Sequence, residues 1–110
     1  MLNKKNRLTK EEFDIVFKNG ASKNSNYFNI KILKTNNSEK KFAFAVSKKI
    51  IKGAIKRHFL KRRVYSIIRN SLENITDGVS IIFFLKKEGE NINFQETEKD
   101  IQNIIKNIFD

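Results

Sequence analysis

Between Lys48 and Arg69 the chain carries nine basic residues and no acid, yet Leu60, Val64, Ile67 and Ile68 recur inside that stretch at i, i+4, i+7 and i+8. At 100° per residue this spacing is one stripe of an α-helix. The stretch must therefore bury one side against a core while most of its circumference stays cationic. The helix is expected from about Gly53 to Asn70. His58, Arg62, Tyr65 and Arg69 fall on the arc opposite the stripe, with Lys52, Lys56, Phe59 and Arg63 on one flank and Arg57 and Lys61 on the other. A solvated helix ordinarily mixes its charges, because opposite signs at i,i+4 help it and like signs cost it. A run of cations with no counter-charge is what a polyanionic partner requires; the plainer alternative is a solubilising face with no partner.

The elements around this helix carry local signals of their own. Thr9 and Glu12 have the spacing of a capping box, with Leu8 and Phe13 at the staple positions. Phe13, Val16 and Phe17 continue a helical stripe that Gly20 should end as its C′ residue. Two strands are expected at Tyr27–Lys34 and Lys41–Ser47, joined through Asn36, Asn37 and Ser38 as a hairpin. After the basic helix, Asp77-Gly78 marks a turn and Val79–Leu85 reads as a buried strand. A last helix, capped by Asn93 with Glu96 three residues on, should bury Ile101, Ile104, Ile105 and Ile108. Its Glu96, Glu98 and Asp100 suit the positive end of the helix dipole. The order α-β-β-α-β-α predicts an α+β sandwich over one small sheet, a single domain spanning residues 1–110.

Composition narrows the chemistry. The net charge of +11 is uneven: residues 1–72 balance at +15 and residues 73–110 at −4. The absence of cysteine excludes disulfides and thiolate metal sites. No apolar run approaches the length needed to span a bilayer, and the polar, basic N-terminus is not a signal peptide, so a cytoplasmic location and no membrane partner are expected. The four glycines are scattered and form no phosphate loop. His58 has no carboxylate near it in sequence, against a triad. The acids before residue 73 are only Glu11, Glu12, Asp14 and Glu39, too few and too committed to capping for a two-metal nuclease. No catalytic residue, no protein-bound metal and no small-molecule substrate are expected.

The segment FAFAVSKKIIKGAIKRHFLKRRV, beginning at Phe42, resembles the central signature of the bacterial ribonuclease P protein family. Ser47, Lys48 and Lys49 match its strand-ending basic pair. Arg57, Lys61 and Arg62 match the first arginine and the Lys-Arg pair of its helix. Outside this segment, Asn6–Leu8 followed by Phe13, Val16, Phe17 and Gly20 is similar to the family's N-terminal helix, and Phe94–Ile101 to the start of its last one. His58, Phe59 and Tyr65 depart from the pattern, standing where the family usually has Asn, Arg and Arg.

The resemblance implies the protein subunit of an RNA-based endoribonuclease, a hydrolase that removes the 5′ leader of precursor tRNA in tRNA processing. Catalysis would come from the ribonuclease P RNA and its magnesium ions, so the partners implied are that RNA and precursor tRNA, in a ribonucleoprotein. It also implies a left-handed βαβ crossover, against the usual rule. For RNA contact the basic helix and the strand end before it offer Lys48, Lys49, Lys52, Lys56 and Arg57, then Lys61, Arg62, Arg63, Tyr65 and Arg69. The family's leader-binding groove, between the first helix and the sheet, nominates Phe13, Phe17, Tyr27, Phe28 and Lys31. Such a groove needs aromatic surfaces for stacking bases and cations for phosphates. Two rivals account for the charge alone: a ribosomal RNA-binding protein and a helix-turn-helix regulator. The second needs two helices joined by a short turn, whereas strands flank this basic helix. A self-sufficient nuclease lacks its carboxylates.

Overall fold

The computed structural model describes residues 2–108, the side chain of Ile108 excepted; the burial expected of Ile108 lies outside the described side chains. Helix α1 (Lys10–Asn19) leads into strands β1 (Ala21–Asn24), β2 (Phe28–Lys34) and β3 (Lys40–Ala45), followed by α2 (Ala54–Asn70), β4 (Val79–Leu85) and α3 (Phe94–Ile108). The sheet order is β1-β2-β4-β3, with β2 antiparallel to β4 and β3 parallel to it. The fold is thus α+β, a four-stranded mixed sheet with three helices packed on it. Among the described residues no helix is long and apolar enough to cross a membrane.

The expected hairpin between β2 and β3 does not form, because β4 lies between the two strands. Asn37 still organises their connection: its side-chain oxygen accepts from the Glu39 N–H and the Thr35 hydroxyl, both at 2.9 Å. The turn does not set a pairing, however. Instead Gly78, at φ +73°, donates its N–H to Glu39 and accepts from Thr35 N–H, so the start of β4 is clamped between the end of β2 and the start of β3. A side chain here would meet the Asn37 carbonyl oxygen at 2.6 Å and adopt a backbone that only glycine takes cheaply.

Alternation along the strands gives the sheet two unlike faces. Phe28, Ile30 and Ile32 of β2, Phe42 and Phe44 of β3, and Val79, Ile81, Phe83 and Leu85 of β4 all enter one core. Helix α2 closes this face with Leu60, Val64, Ile67 and Ile68, and α3 with Ile101, Ile104 and Ile105. The opposite face carries Ala43 and Ile82 against Val16 of α1, with Leu8, Phe13, Leu33 and Phe84 around them. The N-terminal segment covers the free edge of β3: Leu8 N–H donates to Phe42, and the Asn6 amide to the Lys40 carbonyl.

Helix α1 starts at the capping box foreseen, with Thr9 Oγ accepting from Glu12 N–H and Glu12 accepting from Thr9 N–H at 2.9 Å. Gly20 ends it, though not as a left-handed C′ residue, since its φ is −74°. Space is what demands glycine here. A Cβ would lie 2.6 Å from the Val16 carbonyl oxygen and 3.0 Å from that of Ile32, where the chain leaves α1 and runs directly into β1 against β2. Asn93 caps α3 at the Glu96 amide, 2.8 Å away. Asp100 is buried and does more than face the helix dipole. It accepts from the Ser25 hydroxyl at 2.7 Å and the Tyr27 N–H at 3.1 Å, tying the β1–β2 connection to α3.

Candidate nucleic-acid interface

The half-covered face of the sheet is built from two cross-strand rows. Register places Asn24, Asn29, Phe84 and Ala45 side by side, and next to them Ser22, Lys31, Ile82 and Ala43. Short α1 covers Ile82 and Ala43 but ends before the β1–β2 corner. Small polar residues there leave a concavity of about 490 Å³ bounded by Phe17, Ser22, Lys23, Asn24, Asn29, Lys31 and Phe84. Three rings form one wall. Phe13 and Phe17 are nearly parallel with centroids 6.4 Å apart, and each meets Phe84 edge-on at 6.0 and 5.9 Å. Lys31 Nζ stands 5.8 Å from the Phe17 centroid, within the range of a cation–π contact. Phe17 is 50% exposed. A half-solvated ring beside a lysine and a polar floor can stack a base and meet its phosphate.

Of the five groove residues nominated from sequence, Phe13, Phe17 and Lys31 therefore come together. Phe28 and Tyr27 do not. Phe28 has the opposite strand parity to Lys31, so it points into the sealed core, fully buried against Phe44 and Phe83. Tyr27 lies at the α3 side, where its hydroxyl donates to Glu96 at 2.8 Å; that bond holds the phenol pKa above its ordinary value. Phe84 and Asn29 were missed. Period-2 alternation within Val79–Leu85 would have put Phe84 on the face opposite Phe83, but the run reads as uniformly apolar.

The basic surface is divided in a way the helical wheel does not show. Lys48 and Lys49 are exposed in the turn after β3, three and four residues past Ala45 and so at the Phe84 end of the sheet. Lys52, Lys56, Arg62 and Arg69 are exposed. Lys56 Nζ reaches the Asn91 side chain at 3.3 Å. Arg57 is half-buried and donates to the carbonyls of Ile51 at 2.9 Å and Lys52 at 2.7 Å, so it fixes the loop that carries the lysines. Lys61 lies over the Tyr65 ring at 5.7 Å. Arg63 donates to the Ile92 carbonyl at 3.2 Å.

Tyr65 is corrected: it is not on the open arc but 4% exposed. It stands at the edge of that arc nearest Ile68, and β3 together with the N-terminal segment covers this flank. Burial pushes its hydroxyl above the ordinary phenol pKa, while a hydrogen bond to the Phe44 backbone and the charge of Arg7 pull the other way. Its ring widens the core stripe of α2 and is not available for stacking.

A charged pair sits under α1. Lys41 donates to Glu12 at 2.6 Å and lies 3.4 Å from Glu39. The bond to Lys41, with the Thr9 amide, holds the Glu12 carboxyl below its ordinary pKa, and the same bond raises Lys41. Among the described residues no three His, Cys, Asp or Glu side chains are grouped to hold a metal ion.

Residues 2–108 match the family model for ribonuclease P. The chain is 33% identical to the ribonuclease P protein component of a Pseudanabaena species, over 96% of this chain and 92% of that one. To the same component of Streptococcus pneumoniae it is 30% identical over 94% and 85%. The solved RNase P protein of Thermotoga maritima superposes with a TM-score of 0.80 at 27% identity, covering 91% of this chain and 94% of that one. That of Staphylococcus aureus gives 0.82 over 92% and 93%, and at 17% identity it speaks for the fold alone.

Proposed function

The chain belongs to the ribonuclease P protein family, and on that premise we propose that it is the accessory protein of an RNA-based endonuclease that removes the 5′ leader of precursor tRNA. In this reading α2 and the Lys48–Lys49 turn neutralise phosphates of the RNA subunit, while the concavity beside α1 takes the single-stranded leader. In the same reading, phosphodiester hydrolysis would belong to the RNA and its magnesium, and the protein's part is to bind and position.

The concavity supports this reading most. Its aromatic wall is exposed on one side only, its floor is polar, and Lys31 stands beside Phe17. A generic RNA-binding surface needs cations but not a sheet row left uncovered next to stacked rings. A flexible leader laid across the Asn24–Asn29–Phe84–Ala45 row would pass between Phe17 and the turn bearing Lys48 and Lys49. Each stacked base contributes ~1–3 kcal/mol, largely independent of its identity, which suits a leader whose sequence varies among tRNAs. Arg57 acts here through position: its guanidinium holds the loop backbone, so the lysines approach phosphate from a fixed direction.

Reconstitution with a bacterial ribonuclease P RNA tests the proposal. At low magnesium the protein should stimulate precursor tRNA cleavage and raise affinity for leader-bearing over mature tRNA. Absence of both effects would sink the leader-binding role. Cleavage without the RNA would show that the side chains are catalytic after all.

A further inference from the structure

The outer side of α2 displays apolar surface that the core does not use. Phe59 is 61% exposed and Phe94, at the start of α3, is 44% exposed. The Arg63 guanidinium lies between them, 5.4 Å from the Phe59 centroid and 6.0 Å from that of Phe94. It is not a loose cation, because its hydrogen bond to the Ile92 carbonyl anchors it to the segment leading into α3. Phe59, Arg62, Arg63, Ser66 and Phe94 together line a shallow hollow of about 430 Å³. This hollow lies on the opposite side of the sheet from the Phe17 concavity.

An exposed ring is ordinarily a cost, and two rings flanking an anchored guanidinium call for an occupant that is both planar and anionic. A purely apolar partner would have to desolvate Arg62 and Arg63. A nucleotide satisfies both, stacking its base on rings or a guanidinium plane and setting its phosphate against a cation. We infer that Phe59, Arg63 and Phe94 form a stacking seat for an unpaired nucleobase of the RNA subunit, with Arg62 taking the adjoining phosphate. The inference rests on α2 being the RNA-facing surface. The alternative is a stack that only fastens α2 to α3.

Affinity for an in vitro transcribed bacterial ribonuclease P RNA, measured across a salt series, separates these cases. Phe59→Leu keeps apolar volume and removes the ring. It should weaken binding about five- to a hundredfold, leave the slope of log K against log[salt] unchanged, and be rescued by Phe59→Tyr. Arg62→Ala should instead flatten that slope by about 0.7–0.9. The chain has no tryptophan, so Phe59→Trp adds a single reporter whose emission should be quenched as the RNA saturates. Thermal melting of each variant checks folding. Wild-type affinity in Phe59→Leu, or unquenched Phe59→Trp at saturation, overturns the stacking seat. If Arg62→Ala still loses affinity in that case, the RNA-facing role of α2 stands alone. If neither substitution weakens binding, both fail.

Discussion

The two faces of this sheet are made by the same strands and behave as different materials. On one, Phe, Ile, Val and Leu from three strands meet two helices and exclude water. On the other, the same strands offer Ala43, Ala45, Asn29 and Lys31 to one ten-residue helix that stops short of the sheet corner. Large apolar residues seal the first face, and small or polar ones leave the second open beside the rings of α1. The residues proposed to hold the leader lie where packing is left incomplete, and the sealed face supplies the rigidity that lets it remain so.

Substitutions on the two faces should therefore separate stability from binding. Phe28→Ala, in the sealed core, should cost about 3–5 kcal/mol by urea titration and leave the protein marginal or unfolded. Phe17→Ala should change stability by less than about 1 kcal/mol, yet lower holoenzyme affinity for precursor tRNA ~5–100-fold without altering that for mature tRNA. Equal stability losses from the two would erase the distinction between the faces. Arg57→Lys and Arg62→Lys both keep the charge. Because only Arg57 holds two loop carbonyls, it alone should weaken RNA binding, by roughly tenfold if both bonds are lost. Thr9→Ala should destabilise α1 by about 1 kcal/mol through loss of its cap, read as a lower melting temperature.

The smallest effect concerns pH. The Glu12 carboxyl is held below its ordinary pKa, so its contribution is complete above about pH 5 and fades as pH falls through the lowered value. Lys41 is raised, so its contribution is present below about pH 10 and fades as pH rises through its own value. Glu12→Gln retains an acceptor for the cap and should flatten both limbs of melting temperature against pH, by under about 1 kcal/mol for a partly exposed pair.

What could be read from sequence was local. The Thr9–Glu12 cap, the Leu60–Ile68 stripe and the Asn93 cap each lie within one or two helical turns, and each appears as expected. Sheet order depends on contacts between residues dozens of positions apart, and the turn chemistry at Asn36–Ser38 carried no information that β4 would enter between β2 and β3. Strand β1 is exposed throughout and so has no apolar alternation to detect. Tyr65 was misplaced because the wheel treats a helix as if alone, whereas β3 and the N-terminal segment wrap its flank. Phe84 was hidden in a run whose two faces are both apolar but unequally covered.

The insertion of β4 also governs the order in which the molecule can be assembled. A chain synthesised as far as Asn70 contains β1 and β2, which pair with each other, and β3 and α2, but the strand that joins them has not been made. Until residue 85 emerges, β2 and β3 each present an open edge beside uncovered phenylalanines, the condition under which nascent strands pair wrongly. Closure brings β3 and β4 together across the intervening helix, a non-local step that is slow because the loop entropy is lost before the contacts are gained. For this chain the hazardous interval is set by how quickly some fifteen residues beyond α2 are delivered.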